Sequence, residues 1–178
     1  MSKNTFKEAL GEVILWCVDH EIGVLFEGDL DPFFKGDLDG KVIYLDQDMD
    51  DEEKLFNLLH LIGHTIQWNS SEELYRLGSV LHSSPDRRTL ASLYQYEWEA
   101  NCMALYILEY LGFKSLKTWL YDLFKEDINY LMQYYKTGKK EKILPEHRVP
   151  AVELVPKAIP HFTAQVRKRR DNGIVIKF

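Results

Sequence analysis

The sequence predicts an α+β domain, mainly helical, with one small antiparallel sheet. Three observations carry that reading. Apolar residues recur every three to four positions over several long stretches, the pattern of helices with one buried face. Two short runs, Ile22 to Phe26 and Lys41 to Leu45, are rich in β-branched and aromatic residues and bounded by turn formers. The chain has 178 residues, 46% hydrophobic and 28% charged, which suits a single globular domain with a sizeable core.

Thr5 is placed to cap a first helix running to about Asp19, with Glu8 completing a capping box. Its positions Phe6, Ala9, Leu10, Val13, Ile14 and Cys17 repeat at helical spacing, and His20 falls at the end, where the helix dipole favours a cation. The two strand-like runs are separated by Gly28 to Gly40, whose Asp29, Asp31, Asp37 and Asp39 lack the order of a calcium loop and read as solvated carboxylates. Asp46 to Glu53 is an acidic approach in which Asp50 or Asp51 can cap the next helix. A short helix from Ser70–Ser71 to about Leu77 and a loop from Gly78 to Arg88 follow. A long helix runs from about Leu90 to Leu111, stopped at Gly112, and another from about Ser115 to Tyr135, ended by Thr137–Gly138. Leu116, Trp119, Leu120, Leu123, Ile128 and Leu131 make its core stripe; its four tyrosines read as further core. Up to about residue 140 this forms one domain. From 141 to 178 the texture becomes that of an extended Pro-rich, basic segment packed on it. Pro145, Pro150, Pro156 and Pro160 exclude a long helix, and Ile174 to Phe178 is β-prone.

Charge and cysteine usage narrow the function classes. A net charge of -6, from 22 basic against 28 acidic residues, speaks against coating nucleic acid. The basic run Arg167 to Arg170 reads as a solvated turn before it reads as a nucleic-acid contact. Cys17 and Cys102 form no paired motif, so neither a disulfide framework nor a cysteine zinc site is expected, and a reducing cytoplasm fits. No stretch reaches the ~18 apolar residues of a membrane span.

The chemistry-bearing stretch is Phe56 to Trp68, FNLLHLIGHTIQW. At 100° per residue, His60 and His64 lie within about 40° of each other, a spacing that lets two imidazoles meet one metal ion. Leu55, Leu58, Leu59, Ile62 and Ile66 form the opposite, core-facing stripe. Phe56, Leu61 and Trp68 flank the histidines, so the helix is apolar nearly all round and expected to be buried. Gly63 inside it suggests close approach by another element. The long helix offers a third ligand. Glu97 shares a face with Leu93, Ala100, Asn101, Ala104, Leu108 and Leu111, where a lone carboxylate is costly to bury and a metal would offset that cost. Glu99 lies on the far side and is the weaker candidate. Metal-free pairing of Glu97 with His64 is the competing explanation.

The order of elements, with Phe56-Asn-Leu-Leu-His60-Leu-Ile-Gly-His64 and then Glu97-Trp-Glu-Ala-Asn101-Cys-Met-Ala104, resembles the ImmA/IrrE-like zinc metallopeptidases over roughly Thr5 to Leu111. That family includes proteases acting on helix-turn-helix repressors. The resemblance implies a zincin-like core and Zn2+ held by His60, His64 and Glu97. Its catalytic glutamate would fall on Leu61. That carboxylate takes a proton from the attacking water and hands it to the leaving amine, which leucine cannot do; losing a general base costs ~10²–10⁴ in rate. The chain also lacks a proline after Leu108-Glu-Tyr-Leu111.

Three readings result. One is a weak or altered zinc hydrolase, its base taken from elsewhere, Glu72, Glu73 or Tyr94 being examples. Another is an inactive metal-binding pseudo-enzyme that binds a protein partner, such as a repressor or a toxin–antitoxin component. The third is a plain domain whose histidines are satisfied core groups.

Overall fold

The computed structural model describes residues 3–28, 35–79, 85–138 and 148–167. Helix α1 spans Lys3–Asp19 and leads into strand β1, Gly23–Glu27. Strands β2 (Gly36–Leu38) and β3 (Val42–Asp46) form a hairpin, after which come α2 (Asp51–Ser70), α3 (Glu72–Ser79), α4 (Arg87–Tyr110) and α5 (Lys117–Thr137). A single 3-10 turn, Lys114–Leu116, precedes α5. The α+β class holds.

The sheet is mixed, not antiparallel. Its order is β1-β3-β2, with β1 parallel and β2 antiparallel to β3. The expected antiparallel pairing of the two apolar runs fails because a third strand lies between them in sequence. The chain leaves β1, forms β2 and turns back, so β3 enters between the two, running the same way as β1. Strand β2 was concealed by its composition, Gly-Asp-Leu. Its Asp37 and the following Asp39 are buried, contrary to the expectation of solvated carboxylates. Asp39 Oδ1 accepts from the amides of Lys41 and Val42 at 2.7 Å each and shapes the hairpin turn. Asp29, Asp31, Lys168 to Arg170 and the β-prone terminus lie outside the described residues.

Helix ends follow their capping chemistry. Asp50 and Glu53 form a capping box at the start of α2, and Asp86 caps α4 through the amide of Thr89. The first helix begins at Lys3, so Thr5 lies within its first turn and does not cap it. His20 Nδ1 donates to the Trp16 carbonyl at 2.8 Å, and Gly138 takes the left-handed conformation that closes α5.

Helix α2 is the centre of the molecule. Its residues from Leu55 to Trp68 are all buried, against the sheet, α1 and α4. Gly63 is where α4 comes nearest: a Cβ there would lie 2.5 Å from the Ala100 carbonyl oxygen. This is the close approach that an internal glycine beside Ala100 and Ala104 suggests. Residues 148–167 run without regular secondary structure, held by side chains of the body. Tyr94 and Tyr121 donate to the Pro150 and Ala151 carbonyls, and Trp98 to that of Glu153. Leu154 and Ala164 are buried there. Among the described residues, no helix is long and apolar enough to cross a membrane.

Candidate metal centre

The approach of α4 at Gly63 brings the three sequence-predicted ligands together. His60 Nε2 and His64 Nε2 are 3.0 Å apart; Glu97 Oε2 lies 3.1 Å from His64 Nε2 and 3.4 Å from His60 Nε2. Zinc bonds of about 2.0–2.1 Å at tetrahedral angles require ligand atoms about 3.3–3.4 Å apart. The observed triangle is within a few tenths of an ångström of that size. His60, His64 and Glu97 are the group among the described residues that could hold a metal ion. Their exposures are 8%, 4% and 2%, so the site is closed.

Hydrogen bonds to the outer atoms orient the ligands. Gln67 Nε2 donates to the Tyr96 carbonyl at 2.8 Å, which leaves Gln67 Oε1 to accept from His64 Nδ1 at 2.8 Å. The His64 Nε2 lone pair is thereby aimed at the cluster, the outer-sphere arrangement of metal-binding histidines. The Tyr96 ring also stacks on His64 at 4.5 Å. Tyr135 donates to Glu97 Oε1 at 2.6 Å and leaves Oε2 facing the imidazoles.

His60 carries the fit test. Asn101 Nδ2 sits 3.1 Å from His60 Nδ1 and 3.0 Å from the Glu97 carbonyl, while Asn101 Oδ1 is buried with no hydrogen-bond partner. In this arrangement His60 Nδ1 accepts and its Nε2–H points at His64 and Glu97, the metal-free pairing. Turning the amide over would place the orphaned oxygen against Nδ1–H and free the Nε2 lone pair for a metal, at the cost of the Nδ2 bond to the Glu97 carbonyl, which would then face an oxygen at 3.0 Å. In the metal-free pairing, the His64 lone pair still faces a carboxylate oxygen at 3.1 Å. A proton on His64 Nε2, donated to Glu97, or a bound cation removes that acceptor–acceptor contact; the donor set of two imidazoles and a carboxylate suits such an ion.

The electrostatics agree with a cation-seeking site. Burial, reinforced by His64, pushes the His60 imidazole down to about 4, so it is neutral at pH 7. Burial pushes Glu97 upward, but His64, His60 and the Tyr135 hydroxyl outweigh it and hold the carboxyl below its ordinary range. Burial and the Glu97 charge push Tyr135 well up, which keeps it a donor. The same two causes, in that order, raise Asp127, whose Oδ2 is 3.9 Å from His60 Nδ1.

The other sequence candidates lie elsewhere. Glu99 pairs with Lys157 at 2.7 Å and accepts from Gln95, so it is not the third ligand of this cluster. Tyr94 bonds the 148–167 segment at Pro150 and Val152, and Glu72 is taken by Arg76 and Arg167. Neither they nor the exposed Glu73 join the cluster. Leu61 is fully buried, and a Cβ at Gly36 would lie 2.9 Å from its Cδ1. Leu61, where the resemblance would put a catalytic glutamate, is therefore a core side chain seated under β2. Sequence reasoning missed Gln67, Asn101, Asp127 and Tyr135. Gln67 follows His64 by three residues and Asn101 follows Glu97 by four, so helical spacing signalled both; nothing local marked Asp127 or Tyr135.

Comparison of the chain with protein-family profiles, with curated proteins and with solved structures gives no match. The zincin-like core and the ImmA/IrrE-like resemblance thus stay expectations from the sequence pattern.

Proposed function

We propose that this protein holds a zinc ion at His60, His64 and Glu97 in a metallopeptidase-like framework that has given up fast hydrolysis and acts by binding another protein. The triangle of Nε2, Nε2 and Oε2 carries the reading: two imidazoles and a carboxylate at tetrahedral spacing suit zinc over magnesium or calcium. When bound, the ion would supply Lewis-acid polarisation. His60 and His64 would present neutral nitrogens, Gln67 and Tyr135 would orient His64 and Glu97, and the apolar surroundings would exclude water. Burial of Leu61 favours the non-hydrolytic form, because the position that would take a proton is occupied by a hydrocarbon. The partner suggested by the resemblance is a helix-turn-helix repressor in the cytoplasm.

Purified protein is expected to contain about one equivalent of zinc by elemental analysis, lost in His64→Ala and Glu97→Ala. Metal-free wild type whose stability is indifferent to zinc and chelator would overturn the metal reading. Leu61→Glu separates binding from hydrolysis. Its carboxylate would be buried against β2, and a stability loss of roughly 2–5 kcal/mol without cleavage of a repressor is expected. A folded Leu61→Glu protein that cleaves one would replace the binding reading with a hydrolytic one.

A further inference from the structure

Beside the cluster lies a second feature that the metal does not use. A cavity of about 410 Å³ opens between the start of α2 and the middle of α5, lined by Asp50, Glu52, Glu53, Asn57, Glu126 and Asp127, with Phe56, Leu123 and Lys35 completing it. None of His60, His64 and Glu97 lines it. Five carboxyl groups face one ammonium. Glu53 is spent on Lys35, and Glu52 accepts from the Trp119 indole at 2.7 Å. Glu126 is exposed and stands 3.8 Å from Arg148.

Asp127 makes this more than an acidic rim. It is 6% exposed, lines the cavity, and makes no hydrogen bond among the described residues; its one ion-pair contact, to His60, is 3.9 Å, beyond hydrogen-bond reach. Its unpartnered oxygens keep access to the cavity, from which a donor can reach them. The carboxylates are too dispersed for one metal ion, since the only group among the described residues able to hold one is the His60 cluster. The fitting donor is an extended organic cation, and Phe56 and Leu123 offer apolar wall for an aliphatic stem.

We propose that this cavity binds a guanidinium group on an aliphatic chain, its planar fork of donors bridging Asp127 at the base and Glu126 at the rim. The guanidinium comes either from an arginine of a bound protein segment or from a free small molecule. His60, His64 and Glu97 do not line the cavity, although Asp127 stands 3.9 Å from His60, so the test is made without metal.

The test is a titration of the full chain in chelator, followed by the amide NMR signals of Phe56, Asn57 and Leu123. The probes are N-acetyl-arginine methylamide, its uncharged citrulline counterpart, and agmatine. Saturable shifts with the arginine probe or agmatine are expected, with citrulline at least 10-fold weaker. Capped arginine binding more tightly than agmatine assigns the group to a protein segment; the reverse assigns it to a small molecule. Glu126→Gln alters an exposed residue, so its fold is expected to be intact, and it should weaken the charged probes 5- to 10-fold. Asp127→Asn should weaken them further. No saturable shift, equal binding of citrulline, or a folded Glu126→Gln protein with wild-type affinity would overturn the proposal.

Discussion

Replacing Gly63 with alanine tests the geometry on which both core and cluster depend. The added Cβ would lie 2.5 Å from the Ala100 carbonyl oxygen and 2.7 Å from its Cα. Both atoms are backbone, so no side chain can swing aside. Ordinary contact near 3.4 Å is reached only if α2 and α4 part by about 0.9 Å. Alanine's helix propensity returns about 1 kcal/mol, while overpacking of this kind costs about 1–3 kcal/mol. A net destabilisation of up to about 2 kcal/mol follows. The same displacement stretches the 3.1 Å between His64 Nε2 and Glu97 Oε2 toward 4 Å, beyond the edge of a zinc tetrahedron, so zinc affinity should fall about 10–100-fold. Gly11→Ala is the control, because a Cβ there meets nothing within 4 Å; it should stabilise by about 0.5–1 kcal/mol. Denaturant unfolding in chelator and zinc competition against a fluorescent chelator measure the two effects. A Gly63→Ala protein as stable as wild type, with unchanged zinc affinity, would refute the helix–helix contact described above.

Two further outcomes follow from the groups around the cluster. Gln67→Leu removes the acceptor that fixes the His64 tautomer; zinc affinity is expected to drop about 10–100-fold, with the far-ultraviolet circular dichroism unchanged. An unaltered affinity would mean that Gln67 does not orient the ligand. Acid should destabilise the metal-free protein through the cluster. His60 titrates near 6.5 when unfolded and at about 4 when folded, so below 6.5 the unfolded chain binds the extra proton. Up to roughly 3 kcal/mol is lost as the pH falls from about 6.5 to about 4. Glu97, held below its ordinary value, loses its contribution in the same direction at lower pH. Asp127, pushed up, opposes them, since its contribution is lost as pH rises. The decline is therefore best measured by urea unfolding in an Asp127→Asn background, where stability that stays flat between pH 6.5 and 4 would contradict the burial of a neutral His60.

The helices and the three clustered residues were legible in the sequence because their signals are local. The stripe Leu55, Leu58, Leu59, Ile62, Ile66 and the pair His60, His64 both repeat within one helix, and Glu97 stood out as a charge on a Leu/Ala face. Gly63 and Ala100 even signalled which helices would meet. The sheet was less legible. A three-residue strand of Gly-Asp-Leu carries no alternation, and its buried aspartates are satisfied by backbone amides that only the turn geometry creates. Asp127 and Tyr135 were out of reach for another reason. They come to the site from α5, through tertiary packing that no spacing within one helix encodes.

The His60, His64 and Glu97 cluster beside a leucine at position 61 has a physical logic. Glu97 is 2% exposed and, against the push of its burial, is held below its ordinary range by His64, His60 and the Tyr135 hydroxyl, so deleting His60 or His64 would leave a buried carboxylate without its partner, a change that typically costs about 3–5 kcal/mol. Metal binding would couple that set still more firmly to folding. The position of Leu61 answers to a different constraint. It fills the space beneath Gly36, where a carboxylate would lack a partner and a hydrocarbon packs well. Folding alone can thus maintain these three residues and favour leucine at position 61. The His60, His64 and Glu97 cluster could hold a metal ion, and its presence requires no hydrolytic role.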